Sequence, residues 1–195
     1  MNHNRENRKL MLKFLKENSY SAVKMFVNQV AMALFGLMIS FAAATMDDWI
    51  WIAGTLVGVF LYLFLAYNMF WEMGAKDRTR VDAGREKAMP LKGLYIDLIS
   101  NIPSIVVCIL MLFGYYLGSN HMWAGNLYVI TSLIARVLQA MYLGLIQLFS
   151  PYNPWGIVLT ILPVLAMSAV AYQLGFRNFR ILSLFGIDPN KKKNK

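Results

Sequence analysis

Long apolar runs separated by short polar segments dominate this chain. Helices of roughly 17–25 apolar residues cross the hydrocarbon core of a bilayer, and four uninterrupted runs have that length. A fifth run at about 127–149 is as apolar but carries polar residues at helical spacing. The pattern predicts an all-α integral membrane protein with a single multipass domain over residues 1–195. The predicted spans are about 22–45, 49–71, 94–117 and 157–174.

The fifth run has an ambiguous path. On a helical wheel Ser132, Arg136, Gln139 and Gln147 share one face, and the other faces are apolar. A central arginine costs about 2.5–3.5 kcal/mol on insertion scales, which disfavours a crossing. The run is therefore interpreted as an amphipathic helix in the outer interface or as a re-entrant segment. A fifth span whose polar stripe faces the bundle interior is the alternative.

The distribution of charge favours the first interpretation. Of 19 Lys and Arg residues, six lie in residues 1–24, six in 72–93 and six in 175–195, and Arg136 is the remaining one. Short loops rich in Lys and Arg stay in the cytoplasm, so all three segments are predicted on one side. Two spans must then separate each successive pair of basic segments.

The resulting prediction is four transmembrane helices plus one outer-face interfacial or re-entrant amphipathic helix at about 127–149. Both termini are cytoplasmic, residues 72–93 form a cytoplasmic loop, and the host is the plasma membrane. Five transmembrane helices would instead place the basic tail outside.

Composition agrees with a membrane protein. The chain is 58% hydrophobic with a mean hydropathy of +0.47 and a formal net charge of +9. Because the basic residues flank apolar runs, the charge indicates contact with anionic inner-leaflet lipids and not with nucleic acid. The tryptophans also fall at run ends, as expected for the headgroup layer: Trp49, Trp51, Trp71, Trp123 and Trp155.

Polar residues gather in the predicted inner turns of three spans. Three pairs at helical spacing would share one depth and form a cytoplasm-facing polar vestibule. Asp97 is expected to pair there with Lys24 or with an arginine of residues 72–93. Alternatively, these groups simply snorkel to the interface and cap helix ends. The pairs are Lys24 with Asn28, Asn68 with Glu72, and Asp97 with Asn101. Arg136 and Gln139 form a second candidate site on the outer face.

Two glycine pairs predict close helix packing. Gly54 and Gly58 lie in the outer part of the second span, and Gly114 and Gly118 at the outer end of the third. Both pairs have small-xxx-small spacing, which lets helix backbones approach closely. Their depths match in an antiparallel pair, so we expect these two spans to pack together.

Catalytic signatures are absent from the sequence. It has no Ser/His/Asp set, two histidines far apart and the single cysteine Cys108, so no enzyme activity, cofactor or metal is predicted. The preferred interpretation is a non-enzymatic accessory or scaffold subunit that contacts other membrane subunits. The alternative is a small-molecule transport component, either a substrate-binding or a permease-type subunit.

Overall fold

The structure, a computed structural model, describes residues 2–43, 47–85, 87–149 and 153–179. These residues form α-helices, with one 3-10 turn, Ala140–Tyr142, joining α5 to α6. The basic tail beyond residue 179 and the ends of several predicted loops lie outside the described residues. The helices are α1 Asn2–Ala43, α2 Asp48–Asp82, α3 Lys92–Ser100, α4 Ile102–Leu117, α5 Met122–Leu138, α6 Leu143–Phe149, α7 Trp155–Leu159 and α8 Ile161–Phe176.

Several of these helices are suited to a membrane. Within the described residues, Phe14–Ala43, Asp48–Asp82 and Trp155–Phe176 are each long and apolar enough to cross one. Two bent helix pairs, α3 with α4 and α5 with α6, raise the number to five if each pair is one span. The predicted all-α fold with several candidate spans is thereby confirmed. Large apolar side chains such as Phe41 and Phe60 are exposed, as expected for surfaces that contact lipid.

Helix α2 continues eleven residues past the predicted end of its span, through Asp82, so the prediction that 72–93 is entirely a loop is wrong. Ion pairs at i,i+4 spacing, Lys76 with Glu72 and Arg78 with Asp82, support the added turns. The same turns pack against α8, a tertiary contact that local charge alternation does not reveal.

The third predicted span is bent. Helices α3 and α4 meet at Asn101 with an angle of 59°. Pro103 explains the break, because its ring lacks an N–H and clashes with the carbonyl one turn earlier, so it is accommodated in the first turn of α4.

The fifth apolar run is also broken. Helix α5 ends at Leu138, and the residues from Ala140 to Leu148 leave it at an angle of 80°. The amphipathic helix predicted over 127–149 therefore consists of two helices with a sharp bend between them, the shape of a re-entrant segment or of a broken span. Gln139 lies at the bend, where the 3-10 turn redirects the chain.

Contacts show where the two limbs of this broken helix lead. Helix α5 starts beside the end of α4, where Gly125 adjoins Gly118. The bend reaches into the bundle, with Met141 against Gly36 of α1. Helix α6 then returns along α2 until Gln147 and Leu148 border the same pocket as Asp48. Helix α8 runs antiparallel to α2, and Trp155 of α7 donates a hydrogen bond of 3.1 Å to the Tyr116 hydroxyl near the end of α4. Both limbs therefore end towards the end of the bundle that holds the start of α2.

The opposite end collects the basic segments. Lys24 of α1, Arg80 of α2 and Lys92 of α3 border one pocket. The indole Nε1 of Trp71 donates a hydrogen bond of 2.8 Å to the carbonyl oxygen of Phe179, just after α8. The described parts of all three basic segments thus lie at a single end, as the charge pattern predicts.

The two predicted glycine pairs do not pack against each other. Gly54 and Gly58 face Ile39 of α1, whereas Gly114 faces Ala124 and Tyr128 of α5. Helix α4 packs against α5, the next helix in the sequence, because the turn that connects them is short. The closest approach of α2 to α8 uses a different pair, Gly74 and Gly175.

Replacing Gly74 with alanine should destabilise the protein. A Cβ there would collide with the backbone of α8 at Tyr172 and Phe176, so the helices must separate, a change that typically costs about 1–3 kcal/mol. Gly58→Ala is the matched control, since its Cβ would lie 3.7 Å from Ile39 Cδ1, an ordinary contact. Thermal unfolding in detergent should show a lower Tm for Gly74→Ala only; equal Tm values would contradict this packing.

Candidate functional site

Asp97 of α3 has no exposed surface and lies in the middle of a polar cluster. Its Oδ1 accepts hydrogen bonds of 3.2 Å from the Ser100 hydroxyl and 3.1 Å from Asn101 Nδ2. The Ser168 hydroxyl of α8 lies near this carboxylate and donates a hydrogen bond of 2.8 Å to the carbonyl oxygen of Leu165. Within the described part of the chain no basic residue forms an ion pair with Asp97.

The cluster extends from α4 to α1. Gln29 Nε2 donates a hydrogen bond of 3.0 Å to the Ser104 hydroxyl, and both side chains are buried. Asp97, Asn101 and Ser104 follow each other at intervals of four and three residues across the bend. Helical spacing therefore continues the polar face through the break between α3 and α4.

Two tyrosines complete the cluster. Tyr62 of α2 and Tyr142 of the 3-10 turn are buried, and both are close enough to Asp97 to interact with it electrostatically. The two helix breaks, at Asn101 and at Gln139, are thus brought to the same region of the bundle. The buried polar cluster is defined as Gln29, Tyr62, Asp97, Ser100, Asn101, Ser104, Tyr142 and Ser168.

Many polar atoms of this region have no hydrogen-bond partner among the described residues. An unpaired buried polar atom costs about 1–3 kcal/mol, and water is scarce in a bilayer. Such groups in a native protein require an explanation, for which a bound ligand or ion is one candidate. The atoms are Gln29 Oε1, Tyr62 Oη, Asp97 Oδ2, Asn101 Oδ1 and Tyr142 Oη, together with Nε2 of Gln139 at the second break.

The predicted inner vestibule is divided between two places. Lys24 and Glu72 border an open pocket of about 280 Å³ at the basic end, whereas Asp97 and Asn101 belong to the buried cluster. Asn68 Nδ2 donates to the carbonyl of Phe64 within its own helix, and the half-buried Asn28 does not border the pocket. The six residues do not share one depth.

Asp77, and not Asp97, forms the buried ion pair of the basic end. Lys92 Nζ lies 2.8 Å from Asp77 Oδ2, and the Tyr172 hydroxyl donates a hydrogen bond of 3.0 Å to the same oxygen. This network joins α2, α3 and α8 at the wall of the pocket. The expected pairing of Asp97 with Lys24 or an arginine is therefore wrong, because Asp97 lies deeper than the basic side chains.

The two residues predicted to form a site on the outer face, Arg136 and Gln139, differ in their burial. Gln139 is 2% exposed and lies at the bend inside the bundle, while Arg136 is half-buried one turn earlier in α5. The bend turns Gln139 away from the stripe that a straight helix would present. Gln139 therefore belongs with the interior breaks and not with an outer surface.

Sequence reasoning missed six members of the cluster: Gln29, Tyr62, Ser100, Ser104, Tyr142 and Ser168. An available signal was that Gln29 continues the polar series of the first span, directly after Asn28. Among the described residues no group of three His, Cys, Asp or Glu is arranged to hold a metal ion.

No family model, no curated protein and no solved structure matches the chain. The functional argument therefore depends on the geometry alone.

The hydrogen bond between Gln29 and Ser104 should be measurable as a coupling energy. Ser104→Ala leaves the Gln29 N–H buried without its acceptor, which should cost about 1–3 kcal/mol. Gln29→Met in the Ser104→Ala background removes the unpaired group and should recover part of that loss. A double-mutant cycle of unfolding free energies in detergent tests this; additive losses would show that the two side chains do not interact.

Proposed function

We propose that this protein is a small transport component of the membrane that binds a hydrophilic solute at the buried polar cluster. The observation that supports this most is the set of unpaired polar atoms in the region where two broken helices meet. Secondary transporters commonly place solute sites near the bilayer midplane at interrupted helices, because irregular backbone is tolerated where it lines a cavity.

The proposed topology has four transmembrane helical segments, with α5 and α6 forming a re-entrant pair. Supporting it, the described basic segments lie at one end and both limbs of the α5–α6 pair end at the other. The positive-inside rule then assigns the basic end to the cytoplasm, with both chain termini there and anionic lipids around it. The proposed location is the plasma membrane.

In this proposal the pocket bordered by Lys24 and Glu72 is the cytoplasmic entrance. Lys92 at its wall precedes Asp97 by five residues of the same helix, about 7.5 Å along the axis at 1.5 Å per residue. The network of Lys92, Asp77 and Tyr172 lies beside this route. Opening it would connect the pocket to the cluster, so we assign it the role of a gate.

An accessory or scaffold subunit is the second candidate. The exposed apolar side chains suit lipid or another membrane subunit equally, so they do not separate the two functions. The functions differ in the cluster: a transport component must admit water and solute to it, whereas a scaffold has no need to.

Water access can be measured without knowing the solute. Ser104→Cys in a Cys108→Ala background should react with 2-aminoethyl methanethiosulfonate in native membranes, because the reagent attacks thiolates, which form in water. Ser104 itself is only 2% exposed, so this reaction requires opening of the cluster. Val106→Cys, two residues further along α4 on an exposed apolar face, is the matched control and should stay unmodified in lipid.

Equal inertness of the two thiols would contradict transport and favour the scaffold. Ser100→Cys, a second cluster position on α3, repeats the test if Ser104→Cys is poorly folded. Blue native electrophoresis of each variant checks that the chain has retained its structure.

A further inference from the structure

We infer that the solute bound in the buried polar cluster is a monovalent cation of alkali-metal size, held by Asp97 and the neutral oxygens around it. This inference depends on the proposed function, since it specifies the solute of the same site. It is carried by three features of the cluster: the chemistry of its unpaired atoms, the direction of its hydrogen bonds and its formal charge.

Oxygen dominates the unpaired atoms. Asp97 contributes a carboxylate oxygen, Asn101 and Gln29 contribute amide carbonyl oxygens, and Tyr62 and Tyr142 contribute hydroxyl oxygens. Carboxylate, amide and hydroxyl oxygens are the ligands that hard cations prefer. All five side chains are at most 3% exposed, so bulk water does not satisfy them.

Two amide groups of the cluster donate hydrogen bonds within the protein and leave their oxygens unpaired. Asn101 Nδ2 donates to both the backbone oxygen and Oδ1 of Asp97, at 3.0 and 3.1 Å, which turns its own carbonyl oxygen away unpaired. Gln29 Nε2 donates to Ser104, leaving Oε1 unpaired in the same way. A bound anion would place a second negative charge beside Asp97 in a medium of low dielectric constant, so the cluster favours a cation.

The formal charge favours a monovalent ion. Asp97 is the one carboxylate of the cluster, and the neighbouring Asp77 is engaged by Lys92. A monovalent cation neutralises Asp97, whereas a divalent ion would leave a net positive charge in a medium of low dielectric constant, which is costly. The described residues also lack the group of several carboxylates, cysteines or histidines that divalent metals use.

The competing possibility is that Asp97 is simply protonated and no cation binds. A neutral carboxyl group also avoids the cost of a buried charge. The two states differ in one measurable respect: only a bound cation makes the stability of the fold increase with the logarithm of the cation concentration.

The test measures Tm of the purified full-length protein while sodium chloride replaces N-methyl-D-glucamine chloride at constant ionic strength, repeated with lithium and potassium. We expect Tm to rise steadily with the concentration of at least one of these cations. Asp97→Asn, which retains the shape and lacks the charge, should lose the rise. Asp82→Asn, at an exposed position of α2, should keep it.

Two results would overturn the inference. One is a Tm that does not rise when any of the three alkali cations replaces N-methyl-D-glucamine, and the other is an unchanged rise in Asp97→Asn. Tyr62→Phe removes a single hydroxyl, so the same rise in Tm should require a higher cation concentration. It provides the test if Asp97→Asn does not fold. A reactive Ser104→Cys thiol without cation-dependent stabilisation would contradict the cation site and leave the proposed transport function standing. Cation-dependent stabilisation with an unreactive thiol would contradict transport and leave the cation site standing.

Discussion

Keeping the charged helix ends out of hydrocarbon is the constraint on which the rest of this fold depends. The described parts of the three basic segments lie at one end of the bundle, where the buried contacts of Lys92 and Tyr172 with Asp77 join α2, α3 and α8. In the proposed four-span topology, the chain between α4 and α7 starts and finishes at the opposite end. A straight helix of 23 residues over 127–149 would cross the bundle, and the 80° bend after Leu138 permits the re-entrant path instead.

The reversal of the chain between α5 and α6 brings its backbone into the interior of the bundle. The 3-10 turn can enter the bundle because Gly36 has no side chain and lets the backbone at Ala140 and Met141 approach α1. This insertion brings Tyr142 near Asp97, whose helix is interrupted at the neighbouring Asn101. Two breaks in regular structure thereby supply the polar groups of one region. Polar atoms that neither a helix nor lipid can satisfy collect there, and the proposed solute site is their common explanation.

The sequence predicted the features that local pattern controls. Apolar runs predicted an all-α fold with several candidate spans, and charge predicted that the described parts of the basic segments lie together, because both depend on transfer of side chains between water and hydrocarbon. The extension of α2 to Asp82 and the bend at Gln139 were missed, since they follow from contacts with α8 and with α1 that are distant in sequence. Asp97 and Asn101 were visible as an i,i+4 pair, but Tyr62 and Tyr142 were indistinguishable from ordinary core tyrosines.

The re-entrant path of α5 and α6 is the central claim, and labelling of single cysteines with an impermeant maleimide on intact cells tests it directly. In a Cys108→Ala background, Ser119→Cys precedes the pair, Asn153→Cys follows it, and Ala83→Cys lies at the basic end; all three positions are exposed. We predict that the thiols at positions 119 and 153 react on intact cells and that the thiol at position 83 reacts only after lysis. Reaction at 119 but not at 153 would show that the pair crosses the membrane and would contradict the four-span path.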